Sequence, residues 1–346
     1  MGGEDIRGVS LGPMDLVTGG TGLVGSHVLF ELRTRGRTVR AIHRGKGSER
    51  VRRLFRYYRP DDGEALFAGI EWMPCDLLDV QGLADAMTGV DHVHHCAAQV
   101  SFDPRDTRTL FAVNIGGTGN VVNTALAAGV HVLVHVSSTG ATGTAPAGQA
   151  VNEDMPFVRD RTTSAYGVSK YEGELEVQRG VAEGLRAVIV NPSVVLGPGD
   201  VSRSSLTILR RLQRGSLFYP SGSMGFVDAR DVAWCMAELA QQGANGERYI
   251  VSGPTASYRE LFTEVCTAYG RPAPRFPAPA WALGLAWRLE RLRGAMLGGR
   301  PLITRSTVRN GLSHRRYDAS KVEAATGIRF RGLREMVRNA SAFERM

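Results

Sequence analysis

The chain has 346 residues, of which 43% are hydrophobic and 22% charged, so it is long enough for one large globular domain with a smaller one appended. No apolar run approaches the roughly 18 residues of a membrane span, and residues 1–12 lack the apolar core of a signal peptide. We therefore expect a cytoplasmic protein. The net charge of +8 comes mostly from scattered arginine interspersed with acids. Without a nucleic-acid-binding motif, this charge favours an anionic cofactor or substrate over nucleic acid.

The cysteines and histidines are candidates for metal or disulfide chemistry. The four cysteines are widely spaced, contain no Cys-x-x-Cys pair and are expected to be reduced core residues; they are Cys75, Cys96, Cys235 and Cys266. In a strand, His92 and His94 would face one way and His95 the other. Because we expect no acidic partner close to their side chains, we interpret the three histidines as structural residues and not as metal ligands.

From residue 14 onward, apolar runs of strand length alternate with segments of helix length, which predicts an α/β fold with a doubly wound parallel sheet. The predicted strands are 14–17, 38–43, 71–74, 91–96, 131–136, 186–190 and 249–251. The predicted helices are 26–35, 107–127, 165–183 and 280–292. A basic and aromatic insert around residues 52–58 is interpreted as an amphipathic surface helix.

The alternation of strands and helices fades after residue 251, which suggests a second, mainly helical domain. We assign residues 14–197, with 226–252 returning, to a dinucleotide-binding domain, and residues 198–225 and 253–346 to a substrate-binding domain. Segment 280–292 starts wholly apolar and then acquires charges. Trp281 and Trp287 beside basic residues fit a helix in weak peripheral contact with a membrane, but burial over a substrate pocket is the preferred interpretation.

A glycine-rich loop lies between the first predicted strand and the first predicted helix. Gly20, Gly22 and Gly25 match G-x-G-x-x-G in the position that a dinucleotide fingerprint requires. Such glycines permit a tight turn and let the backbone approach a pyrophosphate at the helix N-terminus. A merely structural glycine turn is the alternative.

The end of the second predicted strand indicates which dinucleotide binds. Proteins that prefer NAD place an acidic residue there, whereas this chain has Arg44, which would pair with a 2′-phosphate. NADP(H) is therefore favoured, with NAD(H) as the alternative if Arg44 is only a solvated loop residue. Asp76, after the third strand, could accept a hydrogen bond from the adenine amine.

Tyr166 and Lys170 stand four residues apart on a predicted helix and therefore share a face. A lysine ammonium near a phenol favours the ionised phenol, which makes Tyr166 a poised proton donor or acceptor. Ser138 follows the fifth strand, where an open parallel sheet borders its ligand crevice. Asn114, within a long helix and followed by glycines, indicates a locally bent and functional segment.

With these motifs in order, the chain resembles the extended short-chain dehydrogenase/reductase family over nearly all of residues 14–251. The resemblance implies that Tyr166 exchanges a proton with the substrate oxygen, that Lys170 lowers its pKa and binds the nicotinamide ribose, that Ser138 polarises the carbonyl and that Asn114 helps to hold a water. Ser138 is chosen over Ser137 because Gly143 lies five residues beyond it. The residues implied in cofactor binding are Thr18, Gly19, Gly22, Leu23, Val24, Gly25, Arg44, Asp76, Leu77, Ala97, Ala98, Lys170, Pro192 and Val194.

The family contains both reductases and nucleotide-sugar epimerases or dehydratases. Where the nucleotide-sugar members carry an arginine, an asparagine and a tyrosine, this chain has Asn191, Val194 and Leu196, which implies an apolar pocket. The segment from residue 301 to 321 resembles members near dihydroflavonol 4-reductase and 3β-hydroxysteroid dehydrogenase.

We therefore expect an NADP(H)-dependent enzyme that interconverts a ketone and a secondary alcohol on a bulky apolar small molecule. A nucleotide-sugar epimerase or dehydratase with tightly bound NAD is the first alternative. A non-catalytic NADP(H)-binding regulator is the second. By analogy with the family, the chain is expected to form a homodimer.

Overall fold

A computed structural model describes residues 12–45, 47–146, 148–161, 163–202, 204–296 and 304–346. The strands are β1 Met14–Thr18, β2 Thr38–His43, β3 Ile70–Pro74, β4 His92–His95, β5 Val132–Val136, β6 Ala187–Pro192, β7 Val194–Leu196, β8 Phe218–Tyr219, β9 Ser223–Asp228, β10 Arg248–Val251, β11 Thr255–Ser257 and β12 Phe276–Pro277. The helices are α1 Leu23–Thr34, α2 Ser48–Tyr58, α3 Gly63–Ala68, α4 Val80–Met87, α5 Thr107–Phe111, α6 Gly117–Ala127, α7 Ala165–Ala182, α8 Thr207–Leu212, α9 Ala229–Gln242, α10 Tyr258–Ala268, α11 Ala280–Met296, α12 Arg305–Leu312, α13 Ser320–Thr326 and α14 Leu333–Arg345.

Seven parallel strands form the main sheet in the order β10-β6-β5-β4-β1-β2-β3. All seven strands predicted from the sequence occur, and the doubly wound α/β fold is confirmed. Because β2 and β3 lie on one side of β1 while β4, β5 and β6 lie on the other, the direction of winding reverses between β1 and β4. Ligands of open α/β sheets bind at the carboxyl ends of strands beside such a reversal.

Alternate residues of each strand supply the two faces of this sheet. Val17 and Val134 pack into a cluster with α1 and α9, whereas Leu16 and Leu133 pack into a second cluster with α4, α6 and α7. Both faces are covered, so the central strands are buried runs of branched apolar residues, as in other parallel sheets.

A smaller sheet of three strands, in the order β11-β9-β7, packs with the C-terminal helices and forms the second part of the molecule with them. Residues 226–228 of β9 pair with β7 in this small sheet, and α9 immediately afterwards packs back against α1. The predicted return of the chain to the dinucleotide-binding domain at residue 226 therefore falls in a strand of the small sheet, whereas α9 and β10 pack with the main sheet.

The helix predicted over 107–127 is interrupted. A π-helical turn, Ala112–Gly116, separates α5 from α6 and contains Asn114. The local bend expected at Asn114 is thus one wide helical turn, a feature frequent at functional sites. The basic insert forms α2, which buries Val51, Leu54 and Phe55, as expected of an amphipathic surface helix.

The 280–292 segment is half-buried, on one side of its helix only, which is less burial than expected. Its helix, α11, leaves large apolar side chains in solvent: Trp281 is 74% exposed, Leu289 56% and Met296 74%. Within the described ranges, no helix is long and apolar enough to cross a membrane. The sequence predictions for residues 1–11 and 301–303 lie outside the described residues.

Candidate active site

The glycine-rich loop joins β1 to α1. Gly19 has a φ of +67°, and a Cβ there would lie 2.6 Å from Ala97 Cα, while a Cβ on Gly25 would lie 2.2 Å from Gly19 O. Packing therefore excludes side chains at these two positions. Gly22 is exposed, and its Cβ would meet only Gly19 O, at 3.2 Å. Because α1 begins at once, with no side-chain cap and no acidic residue in its first turn, its amide end is suited to an anion.

A cavity of about 140 Å³ opens beside Gly22 and is lined by residues of the loop, of α2, of the turn after β4 and of the segment after β7. Arg50 of α2 and Asp200 both line it, and Arg50 Nη1 lies 3.1 Å from Asp200 Oδ2. Neither residue was expected from the sequence, because only the fold brings positions 150 residues apart to one cavity. The cavity and the glycine turn fit a dinucleotide pyrophosphate, with Arg50 as an additional cation beside it.

Arg44 and Asp76, both expected at the adenosine end of the cofactor, lie side by side after β2 and β3. Arg44 Nη1 is 3.6 Å from Asp76 Oδ2, and the Arg44 side chain is 73% exposed. Asp76 Oδ1 accepts a hydrogen bond from the Leu78 amide at 2.9 Å. Two charges at this spacing in solvent are loosely paired, so Arg44 can turn to a phosphate.

A buried chain of hydrogen bonds connects the glycine loop to the π-helical turn. Thr18 Oγ1 accepts from the Ala97 amide at 3.1 Å and lies 2.7 Å from His95 Nδ1. On its other side, His95 Nε2 is 3.1 Å from Thr118 Oγ1, whose hydroxyl donates to Asn114 O at 2.7 Å.

The directions of these bonds fix the tautomer of His95. Burial, with a contribution from Lys170, lowers the pKa of His95 to about 3, so the ring is neutral at neutral pH. Since the Thr118 hydroxyl already donates to Asn114, Nε2 must carry the proton and Nδ1 must accept from Thr18.

His92 and His94 have an acidic partner, contrary to the expectation from the sequence. Asp15 Oδ1 lies 3.2 Å from His92 Nδ1 and 3.1 Å from His94 Nε2, and Arg37 Nε donates to Asp15 Oδ2 at 2.6 Å. Burial alone would raise the pKa of Asp15, but its hydrogen bonds to His92, His94 and Arg37 outweigh burial and hold that pKa below its usual range. Asp15 was missed because it lies 77 residues upstream of His92. Within the described ranges, no group of three candidate ligands could hold a metal ion.

The Asn114 side chain connects three segments around the site by hydrogen bonds. Its Oδ1 accepts from the Gln99 amide at 2.8 Å, while its Nδ2 donates to Gln99 O and to Ser169 Oγ, each at 2.9 Å. Ser169 in turn donates to Tyr166 O at 2.8 Å. Both Nδ2 hydrogens are thus used within the protein, so the side chain positions the loop after β4 against α7. The role in holding a water stays a prediction.

Tyr166 lies in the first turn of α7 with Ser138 beside its phenol. Burial raises the pKa of Tyr166, and the Ser138 side chain lowers it in part. Ser138 Oγ also accepts from the Gly140 amide at 3.0 Å, which fixes its rotamer. The Phe102 ring packs edge-on against the tyrosine at 5.6 Å between centroids. Ser137, in contrast, is buried.

Lys170 lies one helical turn after Tyr166 and is only 2% exposed. Its Nζ donates to Val136 O at 2.7 Å. Burial lowers the pKa of Lys170 to about 8, against the opposing effect of Glu174 and Cys96. The expectation that Lys170 lowers the pKa of Tyr166 is not met, because burial dominates at the phenol and raises its pKa.

A second buried polar cluster lies beneath the site and was missed from the sequence. Asn191 Nδ2 donates to Glu174 Oε1 at 2.6 Å and to Ser138 O at 3.1 Å. Glu174 Oε2 lies 3.3 Å from Arg248 Nη1. The cluster therefore supports the backbone of Ser138 from below.

Most of the residues from which the apolar pocket was predicted do not line an open space. Asn191 is fully buried and turned toward Glu174, and Leu196 is fully buried in the core of the small sheet, so neither supplies an open pocket wall. Val194 is half-buried against the same core. Pro192 and Leu77, both expected near the cofactor, are buried as well. Of the three residues from which the apolar pocket was predicted, only Val194 can still line it.

The family model described as the NAD dependent epimerase/dehydratase family matches residues 16–252. A "Putative dihydroflavonol 4-reductase" of Synechocystis sp. is 33% identical over 319 residues, covering 90% of this chain and 89% of that protein. The "Sterol demethylase protein B" of Methylococcus capsulatus is 31% identical over 318 residues, covering 90% and 92%.

Solved structures agree. The crystal structure of gox2253 has a TM-score of 0.78 and 30% identity, covering 96% of this chain and 98% of that one. The UDP-glucose 4-epimerase of Thermus thermophilus, in complex with NAD, has a TM-score of 0.72 at 24% identity, covering 96% and 99%, and shares the fold. The chain therefore belongs to the NAD dependent epimerase/dehydratase family of extended short-chain dehydrogenases/reductases.

Proposed function

We propose that the protein is an NADP(H)-dependent oxidoreductase that interconverts a ketone and a secondary alcohol on a bulky, largely apolar substrate. The observation that carries the proposal is the grouping of Tyr166 and Ser138 at the carboxyl end of the sheet, with the buried Lys170 one turn below. An acid and a hydroxyl donor at one point suit a developing alkoxide.

The chain's own residues supply the proton and the orientation. A bound reduced nicotinamide supplies the hydride that reduces the carbonyl carbon. Tyr166 donates its phenolic proton to the carbonyl oxygen, and Ser138 donates a hydrogen bond to the same oxygen. The raised pKa of Tyr166 keeps the phenol protonated at neutral pH, which suits the reductive direction. Lys170, held by Val136 O, provides positive charge behind the phenol.

The cofactor is held by the elements around the 140 Å³ cavity. The amide end of α1 and the exposed Gly22 receive the pyrophosphate, with Arg50 beside them. Arg44, exposed and loosely paired with Asp76, receives a 2′-phosphate.

The apolar substrate is supported by two observations. Phe102 packs edge-on against Tyr166 and forms an apolar wall beside the phenol. Relatives at 33% and 31% identity are named for flavonoid and sterol chemistry, in which the molecules are bulky and ring-based.

A substrate screen tests the proposal. Purified protein is incubated with NADPH or NADH and a panel of aryl, steroid and terpenoid ketones, and reduced cofactor is followed by absorbance. We expect oxidation of NADPH by at least one ketone. Interconversion of UDP-sugars, together with NAD released from the denatured protein, would instead establish the epimerase alternative.

Arg44→Ser tests the cofactor form separately. The substitution removes one charge-assisted contact to the phosphate. KM for NADPH should therefore rise roughly 10- to 100-fold, while KM for NADH stays unchanged. An equal change for both cofactors would show that Arg44 does not contact the 2′-phosphate.

A further inference from the structure

Helix α11 exposes its large apolar side chains along one line. Trp281, Leu285, Leu289, Leu292 and Met296 are 49–74% exposed, and at 100° per residue they fall within an arc of about 80°. We call these five residues the outer stripe. It runs along about 22 Å of helix, at 1.5 Å per residue.

The rest of the helix explains how it is attached. Leu283 and Trp287 lie on the opposite side and are half-buried, and α11 packs against α12. Arg288 and Arg293 border the outer stripe on its two edges, and both are exposed. The helix thus has one apolar side for the protein and a second apolar side, edged by arginine, that faces solvent.

This part of the chain is strongly basic. Residues 271–316 contain ten arginines and one acid, Glu290, a net charge of +9. Because the whole chain carries +8, all other residues together carry −1. Residues 33–59, with ten arginines, one lysine and one acid, are comparably basic, so the positive charge lies mainly in two segments and not evenly along the chain.

We propose that the outer stripe docks on the surface of a phospholipid bilayer that contains anionic lipid. The apolar side chains enter the boundary between headgroups and acyl chains, where such helices lie about 5–10 Å deep. The surrounding arginines meet the anionic headgroups. Phe276, four residues before α11, is also exposed, at 52%.

Charge decides against the other occupants. A second copy docked through the same stripe would bring two segments of +9 together, and like charges disfavour that pairing. The family resemblance also predicts dimerisation through the helices around Asn114 and Tyr166, elsewhere in the molecule. Nucleic acid would satisfy the arginines but would leave the tryptophan and leucines in water.

Vesicle flotation with the full chain tests the docking. Vesicles of phosphatidylcholine alone are compared with vesicles containing 30% phosphatidylglycerol, at about 0.1 M salt. We expect at least about tenfold stronger binding to the anionic vesicles, weakened by added salt. The double variant Leu285→Glu with Leu289→Glu should lose binding about tenfold or more. Val80→Glu, which changes an apolar side chain of α4 that is 55% exposed, is the control and should bind like the wild type.

A second measurement needs no change in the stripe. Lipids brominated on their acyl chains should quench part of the tryptophan fluorescence of the wild type. Trp281→Phe should remove that quenching, while Trp287→Phe, on the inner side, should keep it.

Several outcomes would overturn the docking proposal. One is equal vesicle binding by the wild type and the double leucine variant. Another is a stripe-dependent dimer in light scattering without vesicle binding, and a third is retention on nucleic acid without vesicle binding. The proposal does not depend on the proposed function, and NADPH affinity measured on the same samples separates failure of one from failure of the other.

Discussion

The carboxyl end of the main sheet and the segment 271–316 place their charged and apolar side chains in opposite ways. Beneath the candidate active site, Lys170 and Glu174 are 2% and 3% exposed, and each has partners within the protein. In the segment, arginines and large apolar side chains face solvent together. The first region is built to hold charges in fixed positions, whereas the second is built to meet something outside the chain.

The largest expected effect lies at the buried region. Tyr166→Phe removes the proton donor and should lower kcat about 10²–10⁴-fold on the ketone that the wild type reduces fastest. NADPH affinity, measured by fluorescence titration, should stay within roughly twofold, because the ring is retained.

Tyr171→Phe is the matched control for the tyrosine variant. Tyr171 stacks on Phe157 at 4.2 Å between centroids, so loss of its hydroxyl should leave kcat unchanged. If Tyr166→Phe kept the turnover of the wild type, the phenol would not be the acid, and a binding-only function would gain support.

Asp15 gives a pH-dependent prediction on stability. Its pKa is lowered in the folded chain, so its carboxylate stabilises the fold above about pH 4, and this stabilisation is lost as pH falls further. Asp15→Asn should therefore lower the free energy of unfolding by about 3 kcal/mol at pH 7. The gap should narrow below pH 4 in urea titrations. A gap that did not change with pH would mean that packing, and not charge, accounts for the loss.

Asn114→Ala should have an intermediate effect. It leaves both the Gln99 amide and the Gln99 carbonyl without their side-chain partner, at a cost of about 2 kcal/mol in unfolding free energy. Asn120→Ala, which removes one bond to Leu77 O, should cost less. If the two variants lost equal unfolding free energy in urea titrations, the Asn114 bonds to Gln99 would stabilise the fold no more than the Asn120 bond to Leu77 does.

The regular part of the fold could be predicted because its signals are local. Most strands of the main sheet are short apolar runs, and the glycine loop and the Tyr166 to Lys170 spacing can each be recognised within a few consecutive residues. β7 and β11 have three residues each and exist through pairing with distant β9, so no local pattern marks them.

The polar contacts that the sequence did not predict have the same origin. The pairs Asp15 with His94 and Arg50 with Asp200 join positions 79 and 150 residues apart, and only the folded sheet brings them together. The sequence also predicted a lowered pKa for Tyr166 from the position of Lys170, without the burial that raises it. For α11, composition identified an apolar helix but could not indicate which of its two apolar sides would stay in solvent.

The smallest expected effect tests that exposed side directly. Leu289 is 56% exposed, so Leu289→Ala should change the free energy of unfolding by less than about 0.5 kcal/mol. Leu133→Ala, in a fully buried position of β5, should cost about 3 kcal/mol in the same urea titrations. A cost of several kcal/mol at Leu289 would mean that protein covers the outer stripe in solution. If a second copy were the cover, the urea midpoint would also rise with protein concentration, because association stabilises the folded state by mass action.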